Sequence, residues 1–195
     1  MDRASRFIWA LDCGKKDRRL FKKAIKTLNK IVRQTHDLSL FTDGERRYGS
    51  LLFEICYALV KNGQPGRPKK TFKRGVHVRI KNKGSQAHKK GPKRPTYQSP
   101  WAEHPETNRT IAESDIHANH AEAFFSALRR KCATFRRKTN MYAKSTKGLQ
   151  RLLRVYWVVH NFLRVHFTTR EVPAVALGLL ERRLAVQEIF QIQMA

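Results

Sequence analysis

The chain has 195 residues, 41% of them hydrophobic, and its 41 Lys and Arg against 15 Asp and Glu give a formal net charge of +26. The length and hydrophobic content are typical of one globular domain with a full core. The charge would repel basic partners and attract polyanions, so nucleic acid is the first partner to consider. Charge alone leaves open whether the protein acts on nucleic acid or only coats it.

The cysteines and apolar runs exclude several other classes. Cys13, Cys56 and Cys132 are scattered and form no CxxC pair, so they predict buried reduced thiols rather than a zinc site or a disulfide framework. No apolar run reaches the roughly 18 residues that a membrane span needs, and the N-terminus lacks the apolar region of a signal peptide. We therefore expect a soluble intracellular protein without a membrane partner.

The first part of the chain predicts short strands and helices in alternation. Residues 7–11 form an apolar run that most simply predicts a buried strand, and Asp2 lies just before it. From Asp17, a suitable helix N-cap, apolar residues recur at three- and four-residue steps opposite a basic face. A shorter helix is expected at residues 48–60.

A carboxylate follows the second predicted strand. Residues 38–41 form a short apolar run, which is closed by Asp43 and a glycine. A strand that ends in Asp-Gly offers its carboxylate at the edge of a sheet, where α/β folds often place functional groups. Because Asp-Gly is also among the commonest turn pairs, a simple turn is the alternative.

Residues 61–100 contain neither Asp nor Glu and are rich in Gly, Pro, Lys and Arg. We interpret them as a basic insertion across the domain surface, with one strand in the alternating run 76–80. Residues 64–70, QPGRPKK, resemble an AT-hook, in which arginine beside proline and glycine enters a narrow minor groove. The alternative is a solvated basic loop that binds phosphates by counterion release. In both cases the predicted DNA-binding residues are Arg67, Lys69 and Lys70.

A lone carboxylate lies on the next predicted helix. Residues 101–114 form an acidic connection, and a helix is then expected at residues 118–135. Its core face would include Phe124 and Leu128, whereas Glu122 lies on the opposite, otherwise basic face. A single carboxylate among arginines suggests chemistry on a polyanion.

The C-terminal part predicts mainly scaffold. A long helix is expected at residues 145–167, and residues 177–190 are apolar enough to form one or two further helices. The core stripe of the long helix is predicted to consist of Leu149, Leu152, Leu153, Tyr156, Val159, His160 and Leu163. Because His160 lies on this apolar face, we interpret it as a core histidine with a hydrogen-bond partner rather than as a ligand.

Four stretches of the chain resemble a known family. They are MDRASRFIWAL at residues 1–11, LSLFTDGERRY at 38–48, GVHVRIKNKGSQAHKKGPKRPTY at 75–97 and the long stretch at 117–178. In these stretches the chain resembles the catalytic region of bacterial insertion-sequence transposases of the DDE class, the group typified by insertion sequence one. The resemblance implies an α/β, ribonuclease-H-like fold, with a mixed sheet flanked by helices and a basic insertion before the helix that carries the third acidic residue.

The resemblance also implies one catalytic-type domain over residues 1–195. Residues 1–60 would carry the first two acidic residues, 61–114 the insertion and linker, and 115–195 the helical part. Family members have an apolar strand and a recognition module ahead of the first aspartate. Since Asp2 lies at the start of this chain, we expect a truncated copy whose first strand is largely missing.

Carried over by residue, the resemblance implies a catalytic triad of Asp2, Asp43 and Glu122, with Asp12 as a less suitable substitute for Asp2. Such carboxylates hold two Mg²⁺ or Mn²⁺ ions. One ion activates water or a 3′-hydroxyl, and the other stabilises the leaving oxygen. The implied partners are transposon ends, target DNA and a second copy of the chain in a synaptic complex, on the nucleoid in the bacterial cytoplasm.

Basic residues around the third carboxylate would hold the DNA. Arg129 lies two helical turns after Glu122, matches the family's basic residue there, and is assigned to the phosphate near the scissile bond. The further predicted DNA-binding residues are Arg130, Arg136, Arg137, Lys138 and Lys144. His117, Asn119 and His120 could orient Glu122 or contact DNA, and helix capping is their alternative role.

The expected function is therefore metal-dependent cleavage and strand transfer of an insertion sequence. The alternative is a catalytically inactive remnant that binds DNA with little sequence preference. A general RNA-binding protein is a more distant third interpretation.

Overall fold

The structure, a computed structural model, describes residues 1–15, 17–61, 63, 65–82, 96–107, 111–116, 119–136 and 140–191. The chain divides into two compact units. We call Lys16–Ala118 the sheet unit, and Met1–Lys15 together with Asn119–Ala195 the helical unit. The single catalytic-type domain over residues 1–195 stays a prediction.

The sheet unit begins with the predicted amphipathic helix. Helix α1 spans Arg18–Thr35, and the Asp17 side chain accepts hydrogen bonds from the backbone N–H groups of Arg19 and Leu20 at 3.0 and 3.1 Å. The predicted N-cap is thus confirmed. The apolar face of α1 packs against helix α2, Arg46–Ile55, where the Phe21 and Tyr48 rings meet edge to face at 4.8 Å between centroids.

The strands of the sheet unit form two small sheets. In the first, β1 (Leu38–Thr42) runs parallel to β4 (Val76–Asn82), which pairs antiparallel with β5 (Thr96–Gln98). In the second, β2 (Tyr57–Val60) pairs antiparallel with β3 (Lys69–Phe72). The predicted strands at 38–41 and 76–80 are confirmed.

The predicted helix over residues 48–60 is wrong at its C-terminal end, because β2 replaces its last turn. Residues of β2 alternate between exposed and half-buried, as a strand at a surface does. The apolar run from Leu51 onward fits both a helix and a strand, and pairing with β3 decides between them.

The core of the sheet unit lies between the three-stranded sheet and the two helices. Side chains of β4 alternate, so that Val76, Val78 and Ile80 face the helices, with His77 and Arg79 on the opposite face. The unit is therefore mixed α/β, with a small mixed sheet flanked by helices, as the sequence predicted.

The helical unit contains α3 (Asn119–Lys131) and α4 (Thr146–Val158), and α4 continues as a π-helical turn, Val159–Leu163. Two short helices follow, α5 (Pro173–Ala176) and α6 (Val186–Gln191). The residues that form its buried core are Ile8, Phe124, Leu128, Cys132 and Leu153. None of the helices in the described part of the chain has the length and apolar character that crossing a bilayer requires.

Four predictions for residues 119–195 of the helical unit are wrong. Helix α3 ends at Lys131 rather than at residue 135, and a separate 3₁₀ turn, Ala133–Phe135, follows it. The long helical segment ends at Leu163 rather than at residue 167, and residues 177–185 are not helical. Leu152 and Val159, which were expected in the core, are 39% and 41% exposed. The helix has a wide apolar face, and only part of that face is covered within the described residues.

Residues 7–11 are buried or half-buried, as expected, but they do not form a strand. Side chains of the long helical segment hold their backbone instead. Ile8 N donates to Asn161 Oδ1 at 2.9 Å, and Asn161 Nδ2 donates to Ile8 O at 3.0 Å. The Gln150 side chain also bonds this backbone: Cys13 N donates to Gln150 Oε1 at 2.9 Å, and Gln150 Nε2 donates to Leu11 O at 3.0 Å. The apolar run therefore predicted the burial of residues 7–11 correctly. The strand partners that it implied are wrong.

Candidate functional site

Asp43 lies at the carboxyl edge of the parallel strand pair. It follows β1 directly, and Thr42 at the end of β1 is opposite Ile80 of β4. The next residue, Gly44, has φ +94°, and a Cβ there would lie 3.3 Å from Lys81 O, so glycine lets the turn approach β4 closely. The Asp43 side chain is exposed. The predicted strand and turn therefore leave this carboxylate open to solvent.

A second carboxylate in the same loop, Glu45, did not emerge from the sequence. Its Oε1 accepts hydrogen bonds from Arg47 N at 3.2 Å and Arg47 Nε at 2.8 Å, and its Oε2 accepts one from Arg47 Nη2 at 2.7 Å. Burial, together with the negative charges of Glu45 and Asp43, raises the pKa of Tyr48. The neutral phenol of Tyr48 is therefore favoured.

Glu103 is a further residue that sequence reasoning missed. His77 is only 1% exposed, and its Nδ1 lies 3.2 Å from Glu103 Oε2, while Arg79 Nη1 donates to Glu103 Oε1. The Glu103 carboxylate thus bonds two side chains that lie on the same face of β4. The signal in the sequence is the alternating run at 76–80, which predicts two basic residues on one strand face but does not identify their partner.

Asp2, the predicted first metal ligand, takes part in its own turn. Its Oδ2 accepts hydrogen bonds from Ser5 N at 2.7 Å and from Ser5 Oγ at 2.8 Å. The Asp2 backbone N–H also donates to Phe7 O at 2.7 Å. Because Ser5 is buried, this turn fixes the start of residues 7–11 in the helical unit. One carboxylate oxygen of Asp2 thus has a structural role, and its catalytic role stays a prediction.

Glu122 lies in the first turn of α3, whose last turn carries Arg129, Arg130 and Lys131. A carboxylate near the N-terminus of a helix and cations near its C-terminus both interact favourably with the helix dipole. Glu122 and Arg129 are exposed, as the sequence predicted for one open face. Arg130 Nη1 donates to Ser126 Oγ at 2.9 Å, which holds that guanidinium along the helix.

The other predicted DNA-binding residues fall into two groups. Arg136 and Lys144 of the helical unit are exposed, whereas Arg137, Lys138 and also His117 lie outside the described residues. Arg67, Lys69 and Lys70 of the sheet unit are exposed. Lys69 and Lys70 belong to β3, so the expectation of a loop or an AT-hook through residue 70 is wrong at this end.

The histidine on the long helical segment is a core residue, as predicted. His160 is buried, and its Nε2 lies 3.0 Å from Arg6 O. Its ring meets the Phe124 ring edge to face, with 5.7 Å between centroids. Burial is the main cause that lowers the pKa of His160, so the neutral ring is favoured.

The predicted triad is divided between the units, with Asp2 and Glu122 in the helical unit and Asp43 in the sheet unit. Among the described residues, no three His, Cys, Asp or Glu side chains lie close enough together to hold a metal ion. The donor types still suit a hard cation, because Asp43 and Glu122 are exposed carboxylates. Asp2 offers one oxygen besides the one that Ser5 binds.

Comparisons with known protein families, with curated proteins and with solved structures found no match to this chain. The residues of functional interest are therefore the exposed carboxylates Asp43 and Glu122 and the exposed basic side chains of the two units. Basic side chains attract a polyanion, whereas exposed carboxylates repel one unless a cation lies between them.

Proposed function

We propose that the protein is a DNA transposase of the DDE class with a ribonuclease-H-like fold, which cleaves and transfers the strands of an insertion sequence. The observation that carries the proposal is the place of Asp43, an exposed carboxylate at the carboxyl edge of a parallel strand pair. Functional groups of α/β proteins are commonly found at that edge. The formal charge of +26 supports DNA as the substrate, and the sequence resemblance supports the class.

The proposal assigns two Mg²⁺ or Mn²⁺ ions to Asp2, Asp43 and Glu122, whose carboxylate oxygens are ligands of the kind these ions prefer. When bound, the ions supply an activated attacking oxygen and stabilise the leaving oxygen of the phosphodiester. The side chains of the protein bind and orient the DNA. No covalent enzyme intermediate is required.

Helix α3 carries both a proposed metal ligand and a proposed DNA-binding residue. Glu122 and Arg129 are both exposed and lie seven residues apart, which corresponds to roughly 10 Å along an α-helix. A DNA backbone lying along this face can place one phosphate beside the carboxylate and another beside the guanidinium. The basic residues of the same unit, Arg130, Arg136 and Lys144, add affinity without sequence preference.

A plasmid nicking assay with Mg²⁺ or Mn²⁺ tests the proposal. We expect Asp43→Asn and Glu122→Gln to lower metal-dependent nicking at least about 100-fold, because each removes a charged metal ligand. The matched control is Glu181→Gln, a change of an exposed carboxylate that the proposal does not use, and it should nick normally. If Asp43→Asn and Glu122→Gln nick as well as the unmodified chain, the triad assignment is wrong.

One observation favours a second candidate, a catalytically inactive DNA-binding protein. One oxygen of Asp2 is already bound by the Ser5 backbone and hydroxyl, which leaves this carboxylate a poorer metal ligand. This candidate predicts DNA affinity that falls steeply with salt, and no cleavage with either metal. Metal-dependent nicking that is lost in Glu122→Gln would rule it out.

Within the transposase proposal, the protein acts on nucleoid DNA in the bacterial cytoplasm. A homodimer would hold the two transposon ends and the target together in a synaptic complex. Cross-linking of the protein in the presence and absence of end-sequence DNA measures this assembly. A monomer under both conditions would contradict it.

A further inference from the structure

An exposed tryptophan of the sheet unit is held flat by a ring beneath it. Trp101 stacks on Phe53, with 4.5 Å between ring centroids and 6° between the planes. Trp101 nevertheless stays 40% exposed, whereas Phe53 is partly buried against the core. Because one face of the indole rests on Phe53, the exposed part of Trp101 is its outer face and edges.

Contacts with buried residues and with the backbone hold both residues of this stack in place. Phe53 belongs to α2 and meets the fully buried ring of Phe72 edge to face, with 5.2 Å between centroids. The backbone next to Trp101 is held by Phe72 N, which donates to Ala102 O at 2.9 Å. Ser99 Oγ also donates to Trp101 O at 2.9 Å. The outer face of Trp101 is therefore preorganised, so a planar ligand would bind there with little loss of side-chain entropy.

A positively charged side chain lies near the aromatic stack. Tyr57 of β2 lies 6.3 Å from Phe53 between ring centroids, and Lys70 Nζ lies 4.5 Å above the Tyr57 ring. A single surface thus presents an exposed indole and, through Phe53 and Tyr57, the positive charge of Lys70.

We propose that Trp101 is the stacking platform for an unpaired nucleobase, and that Lys70 holds an adjoining phosphate. A nucleotide combines a planar base with an anionic phosphate, and proteins that bind single strands combine aromatic platforms with basic grooves. Bases inside a duplex are already stacked on each other, so this platform selects single-stranded or frayed DNA. The inference rests on the proposed function in taking DNA as the polyanion, and it adds an unpaired segment to the substrate.

Binding of the full chain to a fluorescent single strand, and to the duplex of the same sequence, tests the inference. Trp101→Ala should weaken single-strand binding by about 5- to 140-fold, the range of one lost base stack, and duplex binding by less than about two-fold. Trp101→Phe should restore part of the affinity, because a ring remains. The matched control is Phe167→Ala, which removes an aromatic ring that is 77% exposed and lies below the Arg170 guanidinium, and it should leave single-strand binding unchanged.

A second readout separates stacking from folding. Fluorescence of 2-aminopurine in the single strand should be quenched by the unmodified chain and by Trp101→Phe, and should recover in Trp101→Ala. Equal losses for single strand and duplex, or no loss for either, would overturn the platform. Tighter binding of a single-stranded RNA than of the matching DNA would overturn DNA as the ligand.

The same assays distinguish this inference from the proposed function. If the chain binds single strands through Trp101 but never nicks DNA with either metal, the platform stands and the transposase proposal fails. If the chain nicks DNA and Trp101→Ala binds and quenches single strands normally, the platform fails and the transposase proposal stands.

Discussion

Two apolar segments of this protein satisfy their backbone polar groups in different ways. In the sheet unit, β1 runs beside β4, with Leu38 opposite Val76, and the strands share a ladder of backbone hydrogen bonds. In the described part of the helical unit, the backbone groups of Ile8 and Leu11 pair with side chains of the long helical segment, and Phe7 pairs with the turn before it. Buried backbone groups must be paired in either case, but the source of the partner differs.

The two segments differ in the kind of group that pairs with their backbone. In a strand ladder the partners are other backbone groups, so a single side-chain change removes none of the hydrogen bonds. The segment at residues 7–11 depends on a few side chains, chiefly Asn161 and Gln150. We therefore expect the stability of the sheet unit to depend most on residues whose backbone conformation is constrained. The stability of the helical unit should depend most on single side-chain amides.

The largest effect is expected from Gly75→Ala, at the turn into β4. Gly75 has φ +76°, and a Cβ there would overlap the carbonyl oxygen of His36, a backbone atom that cannot turn away. The turn also supplies Gly75 O, which accepts from Leu38 N at 3.0 Å where the ladder begins. We expect a loss of about 3 kcal/mol or more in the free energy of unfolding, measured by urea denaturation.

Gly63→Ala is the matched control for that change. Gly63 also has a positive φ, +71°, but a Cβ there would have no described atom within 4 Å. It should cost only about 1 kcal/mol, the penalty of the backbone conformation. Equal losses in the two variants would mean that the overlap with His36 is not the cause.

The next largest effect is expected from Asn161→Ala in the helical unit. Asn161 is 0% exposed, and its amide both accepts from Ile8 N and donates to Ile8 O. Alanine would leave a buried N–H without its partner and a cavity beside it, at a cost of about 2–3 kcal/mol. Hydrogen exchange at the Ile8 amide should accelerate, while exchange in β1 and β4 stays unchanged. Unchanged exchange at Ile8 would contradict the role of this amide.

Local signals explain which elements could be predicted. The Asp17 cap, the period of α1 and the apolar run of β1 are properties of neighbouring residues, and they predicted those elements correctly. Residues 7–11 carry the same kind of local signal as β1, but their partners lie about 150 positions away, at Asn161. No pattern within such a run specifies a helix side chain, rather than a strand, as its neighbour.

In the candidate site, too, local features could be predicted and long-range contacts could not. The exposure of Asp43 after β1 follows from a strand signal and a turn signal that are adjacent in the sequence. The partners of Glu103 do not, because His77 and Arg79 are more than twenty positions away and meet it only after the sheet forms. The stack of Trp101 on Phe53 is likewise a long-range contact that periodicity cannot predict.

A smaller effect is expected from Gln150→Ala, which tests the second amide that holds the N-terminal segment. Gln150 donates to Leu11 O and accepts from Cys13 N, as Asn161 does with Ile8, but it is only half-buried. Water can replace part of what is lost, so we expect about 1 kcal/mol from urea denaturation. The exposed control Gln187→Ala should stay within about 0.5 kcal/mol of the unmodified chain. A loss as large as that of Asn161→Ala would show that burial does not set the difference.

The smallest effect is a pH dependence of the helical unit, whose long segment carries His160. Burial lowers the pKa of His160 below its ordinary 6.5; the hydrogen bond to Arg6 O opposes this, while His166, Arg164 and Lys131 add to it. The unfolded chain therefore binds more protons than the folded chain near and below pH 6.5. Stability should be full above that pH and should fall as the pH decreases through it.

Unfolding free energies measured between pH 8 and about pH 5 check this sign. The variant His160→Gln can keep an N–H donor for Arg6 O but does not titrate, so its stability should fall less steeply on acidification. Burial also lowers the pKa of His166, so a residual slope of the same sign should remain in the variant. A slope that is identical in the two proteins would mean that His160 is as easily protonated in the folded chain as in the unfolded one. In that case burial would not set the protonation of His160.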